Sequence, residues 1–316
     1  MASASTGIVF PGQGAQRAGM GRDFFAWSSA ARDVYQEASD ALGLDLRALC
    51  FGDDERLALT EYAQPAILST EIAMLRAAAA ELGLAGGSFG GHSLGEYTAL
   101  VAAGALPLAD AVRLVRERGR LMQQAVPPGR GGMTAVIGDA LDCDAIEHAT
   151  RGVAVAIAND NSSSQVVLSG LAADLATARA RIAAALGATE VRFVELEVSA
   201  PFHSPLMAAI EPRFAELLGG VRARLDAAHA ARVTSNFTGS FHEPDVDAVI
   251  ERLVQQLCGT VRWRSNMLAL QARTDRIVEI GPRRPLRAFF KTIGVDVHAI
   301  TDVRSATRVA RQEVDR

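Results

Sequence analysis

Apolar and polar positions along this chain repeat with two periods, and their order predicts a mixed α/β fold. GIVFPG (7–12) is a short apolar run that ends in a Gly/Pro turn, as a buried strand does. Helical spacing follows over 24–43 and 66–83. GGSFGGHS (86–93) is a glycine-rich, strand-like approach to a helix that starts near Leu94. A further helix is predicted over 107–125, with Pro107 near its start.

PPGRGG (127–132) breaks the pattern and reads as a linker. Beyond it come a strand (133–138), a helix (142–150), two strands (153–158 and 165–170), a helix (171–186) and a strand (191–198). This β-α-β-β-α-β order is the ferredoxin-like one, so an inserted small subdomain is expected over 128–199, with 1–127 and 200–316 forming the larger unit. Helices are expected at 204–218 and 246–257, and strands at 232–237, 276–281 and 295–300. The polar, Arg-rich tail after Asp302 reads as a short peripheral helix or a frayed end.

Composition narrows the class. The 316 residues suit one large domain or two smaller ones, and 49% hydrophobic with 22% charged is a globular balance. A formal charge of −4 argues against a general nucleic-acid binder. The apolar run near 97–108 is broken by Gly104 and Pro107 and falls short of the roughly 18 residues of a membrane span. MASASTGIVF has no basic segment of the kind that opens a secretory signal. Cys50, Cys143 and Cys258 are widely spaced and odd in number, so they read as free thiols in a reducing, cytoplasmic compartment. The histidines show no metal-binding spacing, and no metal or other cofactor is expected.

The sharpest local signal is Gly91-His92-Ser93-Leu94-Gly95, a G-x-S-x-G between a strand-like approach and a helix-like exit. In that context the turn strains the serine backbone, glycines on either side remove clashing side chains, and the hydroxyl sits over a helix N-terminus. A serine nucleophile needs a base. His203, in Phe202-His203-Ser204 at the junction after the insertion, is one candidate; His298, near Asp296, is the other. His148, His229 and His242 lie in polar surroundings and are expected to be solvated.

On a helical wheel of 107–125, Ala111, Val115, Met122 and Ala125 form an apolar stripe flanked by Leu114 and Leu121. Arg113, Arg116 and Arg120 fall opposite, but Arg118 falls within the stripe. A buried guanidinium needs an anionic partner, either a core carboxylate or a substrate carboxylate held in two places.

Taken together these residues resemble the malonyl-CoA:acyl carrier protein transacylase family and the related acyltransferase domains of polyketide synthases. Matching motifs occur in order: Phe10-Pro11-Gly12-Gln13-Gly14, the Ser93 pentapeptide, Arg118-Gly119, Phe202-His203-Ser204, Gln256-Leu257 before Val261-Arg262-Trp263, and Glu279-Ile280-Gly281-Pro282. The resemblance covers about 7–300. It implies an α/β-hydrolase-like core with an inserted ferredoxin-like subdomain, and transfer of malonyl from coenzyme A to the phosphopantetheine thiol of an acyl carrier protein, for fatty-acid or polyketide synthesis. It implies Ser93 as nucleophile and His203 as base, oriented by the backbone carbonyl of Gln256. The N–H groups of Gln13 and Leu94 would form the oxyanion hole, and Arg118 would hold the malonyl carboxylate. His92 and Asn161, with Asn159 as the other possibility in that polar segment, would lie beside the substrate. Leu94 and Phe202 go with malonyl rather than methylmalonyl. A hydrolase of carrier-bound thioesters, transfer of a different acyl group, a non-catalytic docking module and a lipase-type enzyme using His298 are the competing readings. Where the chain departs from the family, Arg283-Arg284-Pro285 follow the E-x-G-P motif; with Arg287 and Lys291 they form either a docking patch for an acidic carrier protein or a solvated helix start. A monomer is the default expectation.

Overall fold

The structure, a computed structural model, describes residues 5–127, 129–198 and 200–314. Pro128 and Ser199, at the two expected boundaries of the insertion, lie outside the described residues, as do 1–4, 315 and 316. The chain opens with β1 (Thr6–Phe10), α1 (Arg22–Trp27), α2 (Ser29–Leu42), α3 (Leu46–Phe51), α4 (Thr60–Leu82), β2 (Ser88–Gly91), α5 (Leu94–Ala102) and α6 (Leu108–Gln124). Next come β3 (Gly131–Gly138), α7 (Cys143–Ala149), β4 (Val155–Ser162), β5 (Gln165–Leu171), α8 (Ala172–Leu186) and β6 (Val191–Glu195). The remainder comprises α9 (Glu211–Val221), α10 (Ala227–Ala230), β7 (Thr234–Ser235), β8 (Ser240–Phe241), α11 (Val246–Gln255), α12 (Trp263–Arg273), β9 (Arg276–Ile280), α13 (Leu286–Lys291), β10 (Val297–Ile300) and α14 (Val303–Val314).

One sheet has the order β10-β9-β1-β2, and every pairing in it is parallel. β1 is buried at every position, as a central parallel strand covered on both faces must be. The second sheet has the order β4-β5-β3-β6 and is antiparallel throughout. Its β-α-β-β-α-β chain order matches the reading of 133–198. Period-two alternation divides the faces of this sheet. Val136, Val166 and Leu168 join α7 and α8 in a small core of their own, while Met133, Ala135 and Val167 pack into the main core.

β4 also grips the segment before α12: Val261 N–H donates to Ala158 O at 2.8 Å and Asp160 N–H donates to Val261 O at 3.0 Å. This seam brings the end of β4 over the carboxyl ends of β1 and β2, the side of a parallel sheet where ligand sites form.

Several elements differ from expectation. The helix over 24–43 is two helices, broken where Ser28 turns extended (φ −128°, ψ 138°). The helix expected over 66–83 begins at Thr60 and runs through Pro65; burial of nearly its whole length holds it together. The stretch 204–218 starts as a 3-10 turn (Pro205–Ile210) and continues as α9. The strand over 232–237 shrinks to β7 plus one parallel bridge between Val233 and Phe89, because Asn236 leaves the ladder to bind other groups. The tail is a regular helix, α14, docked through Ala306 and Val309.

Candidate active site

β2 ends at Gly91 and α5 begins at Leu94, so Ser93 sits at the corner, with φ 52° and ψ −102°. That left-handed region is strained for a residue with a side chain and persists only where its surroundings enforce it. Two observations show the enforcement. A Cβ on Gly91 would lie 1.9 Å from Gly95 O, and one on Gly95 would lie 2.3 Å from Phe10 O, so only glycines allow the corner to close. Asn236 then clamps it: Ser93 N–H donates to Asn236 Oδ1 at 2.6 Å, and Asn236 Nδ2 donates to Gly91 O at 2.7 Å.

Ser93 Oγ lies 2.7 Å from His203 Nε2, and His203 Nδ1 lies 2.8 Å from the main-chain oxygen of Gln256. A carbonyl only accepts, so Nδ1 carries the proton and Nε2 is left to accept from the serine hydroxyl. His203 is 4% exposed. Burial, then the nearby Arg118 guanidinium, push its pKa down to about 3, against the opposing pull of the Gln256 carbonyl. The ring is therefore neutral near pH 7, the state a general base requires.

Arg118, on α6, is 1% exposed, as its place in the apolar stripe predicts. Its Nη2 donates to Ser93 Oγ at 3.1 Å and to Gln256 Oε1 at 2.9 Å, and its Nη1 donates to Gln64 Oε1 at 2.9 Å. The Tyr97 ring lies 5.3 Å from the guanidinium carbon. Burial pulls the Arg118 pKa below the usual arginine range. None of these partners is a carboxylate, and Nε has no partner among the described residues. The reading of Arg118 as half of an internal ion pair is thus not met.

Opposite the elbow, His92 Nε2 lies 2.7 Å from Asn161 Oδ1, and Asn161 Nδ2 donates to Gln165 Oε1 at 2.8 Å. Burial lowers the His92 pKa, and the edge-on Trp263 ring packs 5.7 Å away. A cleft of about 330 Å³ runs between the two layers; Gln13, His92, Ser93, Leu94, Arg118, Asn159, Asn161, Phe202 and His203 all line it. Leu94 opens α5, where the first N–H groups have no helical acceptor. Gln13 belongs to the turn that follows β1. Phe289 and Met133 complete the walls and were not anticipated.

The structure separates the two candidate bases. His298 lies on β10, at the sheet edge farthest from β2, and lines a different cleft. His242 corrects the expectation of a solvated ring: it is 3% exposed, and its Nε2 donates to Glu96 Oε1 at 2.8 Å. His229 pairs with Asp226 at the surface, as expected. Glu96, Asn236, Gln64 and His242 are site-associated residues that the sequence reading missed. Glu96 carries a signal that was available, the one charged side chain of a buried helix. Among the described residues, no group of three or more His, Cys, Asp or Glu side chains forms a metal-holding cluster.

Known proteins place this geometry in context. The family model for the acyl transferase domain matches residues 8–313. The malonyl CoA-acyl carrier protein transacylase of Bacillus subtilis is 39% identical over 293 residues, covering 90% of this chain and 89% of that protein. The crystal structure of FabD from Acinetobacter baumannii superposes with a TM-score of 0.91 at 35% identity, covering 99% of each chain. A malonyl-transacylase solved in complex with a holo acyl-carrier protein of a type II polyketide synthase matches with a TM-score of 0.88 at 33% identity, covering 98% of this chain and 100% of that one. The chain belongs to the malonyl-CoA:acyl carrier protein transacylase family of acyl transferase domains.

Proposed function

We propose that this acyltransferase moves a malonyl group from malonyl-CoA to the phosphopantetheine thiol of an acyl carrier protein, by way of a malonyl ester on Ser93. The observation that carries the reading is the convergence on one atom, Ser93 Oγ, of a neutral imidazole nitrogen and a buried guanidinium with no carboxylate partner.

The steps balance with the chain's own groups. His203 Nε2 takes the Ser93 hydroxyl proton as Oγ attacks the thioester carbon. The resulting oxyanion is held by the N–H groups of Gln13 and Leu94. Collapse expels the coenzyme A thiolate, which takes from His203 the proton that Ser93 gave up. The carrier thiol then gives its proton to His203, attacks the serine ester and leaves as malonyl thioester, and Ser93 Oγ recovers the proton. Arg118 pairs with the malonyl carboxylate, whose charge offsets the burial of the guanidinium. His92 and Asn161 line the acyl site, and Phe202 fills the space beside the α-carbon. Exchange of one thioester for another is near balance, so the proposed transfer calls on no metal or redox cofactor.

In this reading 1–127 and 200–316 form an α/β-hydrolase-like core and 128–199 a ferredoxin-like insert, supported by the two sheet orders and the separate small core. Arg283, Arg284, Arg287 and Lys291 are exposed on and before α13, whose Leu286 and Phe289 line the cleft, so the basic cluster stands beside the entrance as the docking patch for an acidic carrier protein. No helix among the described residues is long and apolar enough to cross a membrane, and a monomer in the cytoplasm is the proposed setting. A hydrolase of neutral acyl groups, the main competing reading, would have no use for Arg118 in this position. Peptide mapping after brief exposure to malonyl-CoA tests the proposal: malonate on Ser93 supports it, and its absence there removes it.

A further inference from the structure

We propose that Glu96 is a positioning residue for this transfer, fixing Gln256 and Asn236, and through them His203, Arg118 and the Ser93 corner, with His242 bracing it from behind. The inference rests on the function proposed above.

Glu96 is the third residue of α5 and is 0% exposed. Neither of its oxygens touches Ser93, His203 or Arg118 by a hydrogen bond. They accept instead from the groups that hold those residues. Oε2 accepts from Gln256 Nε2 at 2.6 Å and from Asn236 N–H at 2.9 Å, and Oε1 accepts from His242 Nε2 at 2.8 Å.

Each of these partners acts on the reacting atoms. Gln256 is the hub. Its main-chain oxygen holds His203 Nδ1, its Oε1 accepts from Arg118 Nη2, and its Nε2 also donates to Ser93 O at 3.2 Å. A guanidinium only donates and a carboxylate only accepts, so Arg118 on one side and Glu96 on the other permit a single orientation of the Gln256 amide. Asn236, held at its N–H, presents its side chain to Ser93 N–H and Gly91 O. One carboxylate thus ties together the base, the substrate-carboxylate site and the nucleophile turn. His242 occupies the remaining side of it, with no hydrogen-bond partner for Nδ1 among the described residues.

The chemistry required of Glu96 is placement of an acceptor, not charge, and this separates two substitutions. In Glu96→Gln the amide oxygen can take the place of Oε2, and the amide nitrogen can donate to His242 once that ring shifts its proton to Nδ1. In Glu96→Asp the charge stays, but the acceptor withdraws by one methylene from both Gln256 and Asn236. Ser93 acylation by malonyl-CoA and by acetyl-CoA is measured for each by rapid quench and intact mass, alongside thermal melting. Glu96→Gln is expected within about fivefold of the parent, and Glu96→Asp at least about tenfold slower with malonyl-CoA. The malonyl-to-acetyl ratio should fall in Glu96→Asp, because Arg118 loses its oriented acceptor. A purely structural role would lower the melting temperature and leave that ratio unchanged.

A double-mutant cycle supplies the second arm. On a Gln256→Ala background the Glu96→Asp loss should shrink by at least about threefold, since part of the route is already cut. Full additivity, or a folded Glu96→Asp with parent rates and ratio, overturns the proposal. If Glu96→Asp does not fold, His242→Leu replaces it. Loss of the brace should then lower the malonyl rate and the ratio together, and parent-like values overturn the proposal. Failure of the proposed function is seen separately, as a parent protein that forms no malonyl adduct.

Discussion

His203 donates its Nδ1–H to the main-chain carbonyl of Gln256 at 2.8 Å, and this bond determines what the ring can do at its other nitrogen. With Nδ1 protonated, Nε2 faces Ser93 Oγ at 2.7 Å as an acceptor. A carbonyl orients the ring without the full negative charge that a carboxylate would bring. Burial and Arg118 therefore prevail and hold the imidazole neutral, with a pKa of about 3.

The pH dependence follows with a definite sign. Neutral His203 is the competent form, so lowering its pKa extends activity toward acid. Between pH 8 and pH 5 the rate of Ser93 acylation should change by less than about threefold, rather than fall through the ordinary histidine value of about 6.5. The depressed pKa also bears on stability: the contribution is fully present above the unfolded value and is lost as pH falls toward the folded value of about 3. A rate profile with an acid limb centred near the ordinary value contradicts this account of the ring.

Arg118→Ala separates carboxylate binding from general catalysis. Charge-assisted bonds to a substrate carboxylate are worth about 1.5–3 kcal/mol, so acylation by malonyl-CoA should fall by about 10–100-fold or more. Acetyl-CoA has no carboxylate and should lose much less. Equal losses, measured as kcat/KM for both substrates, remove the carboxylate role.

Phe202 is 7% exposed and lines the cleft, and it is proposed to limit the space beside the malonyl α-carbon. One methyl group in an apolar pocket is worth about 1–3 kcal/mol, so Phe202→Ala should raise methylmalonyl transfer relative to malonyl by about tenfold. An unchanged ratio in competition assays places the selectivity elsewhere.

Much of this architecture was legible because it is carried by short-range periodicity. The β-α-β-β-α-β run, the apolar stripe of α6 and the G-x-S-x-G corner each depend on residues close in the chain. α12 escaped because its buried face, Trp263, Asn266, Met267 and Leu270, is interrupted by a polar residue, and because Arg262 gives no capping signal at its start. The helix over 24–43 was read as continuous because the break at Ser28 leaves the apolar spacing nearly intact. The meeting of Ser93, His203 and Arg118 in one cleft was legible. The layer behind them was not legible: Glu96, Asn236 and His242 meet Gln256 only through the fold, and buried polar partners leave no periodic trace. Glu96 could have been caught by the argument that caught Arg118, since it too is a charge on a buried helix face.

The corner itself makes a sharp steric test. A Cβ on Gly95 would meet Phe10 O at 2.3 Å, a contact with backbone that no rotamer relieves. Gly95→Ala should cost about 3 kcal/mol or more of stability or prevent folding, read as a shifted urea midpoint or loss of soluble protein. A midpoint matching the parent's would show that the β1 and α5 backbones are less closely apposed than described.

Ser93 is proposed to carry a malonyl group between two thiols. The most direct test is intact-protein mass spectrometry after brief mixing with malonyl-CoA, followed by addition of a holo acyl carrier protein. The expected result is a malonyl adduct that is absent in Ser93→Ala and that moves to the carrier when the carrier is added. An adduct that decays to free malonate with the carrier present, or one that persists in Ser93→Ala, contradicts the account.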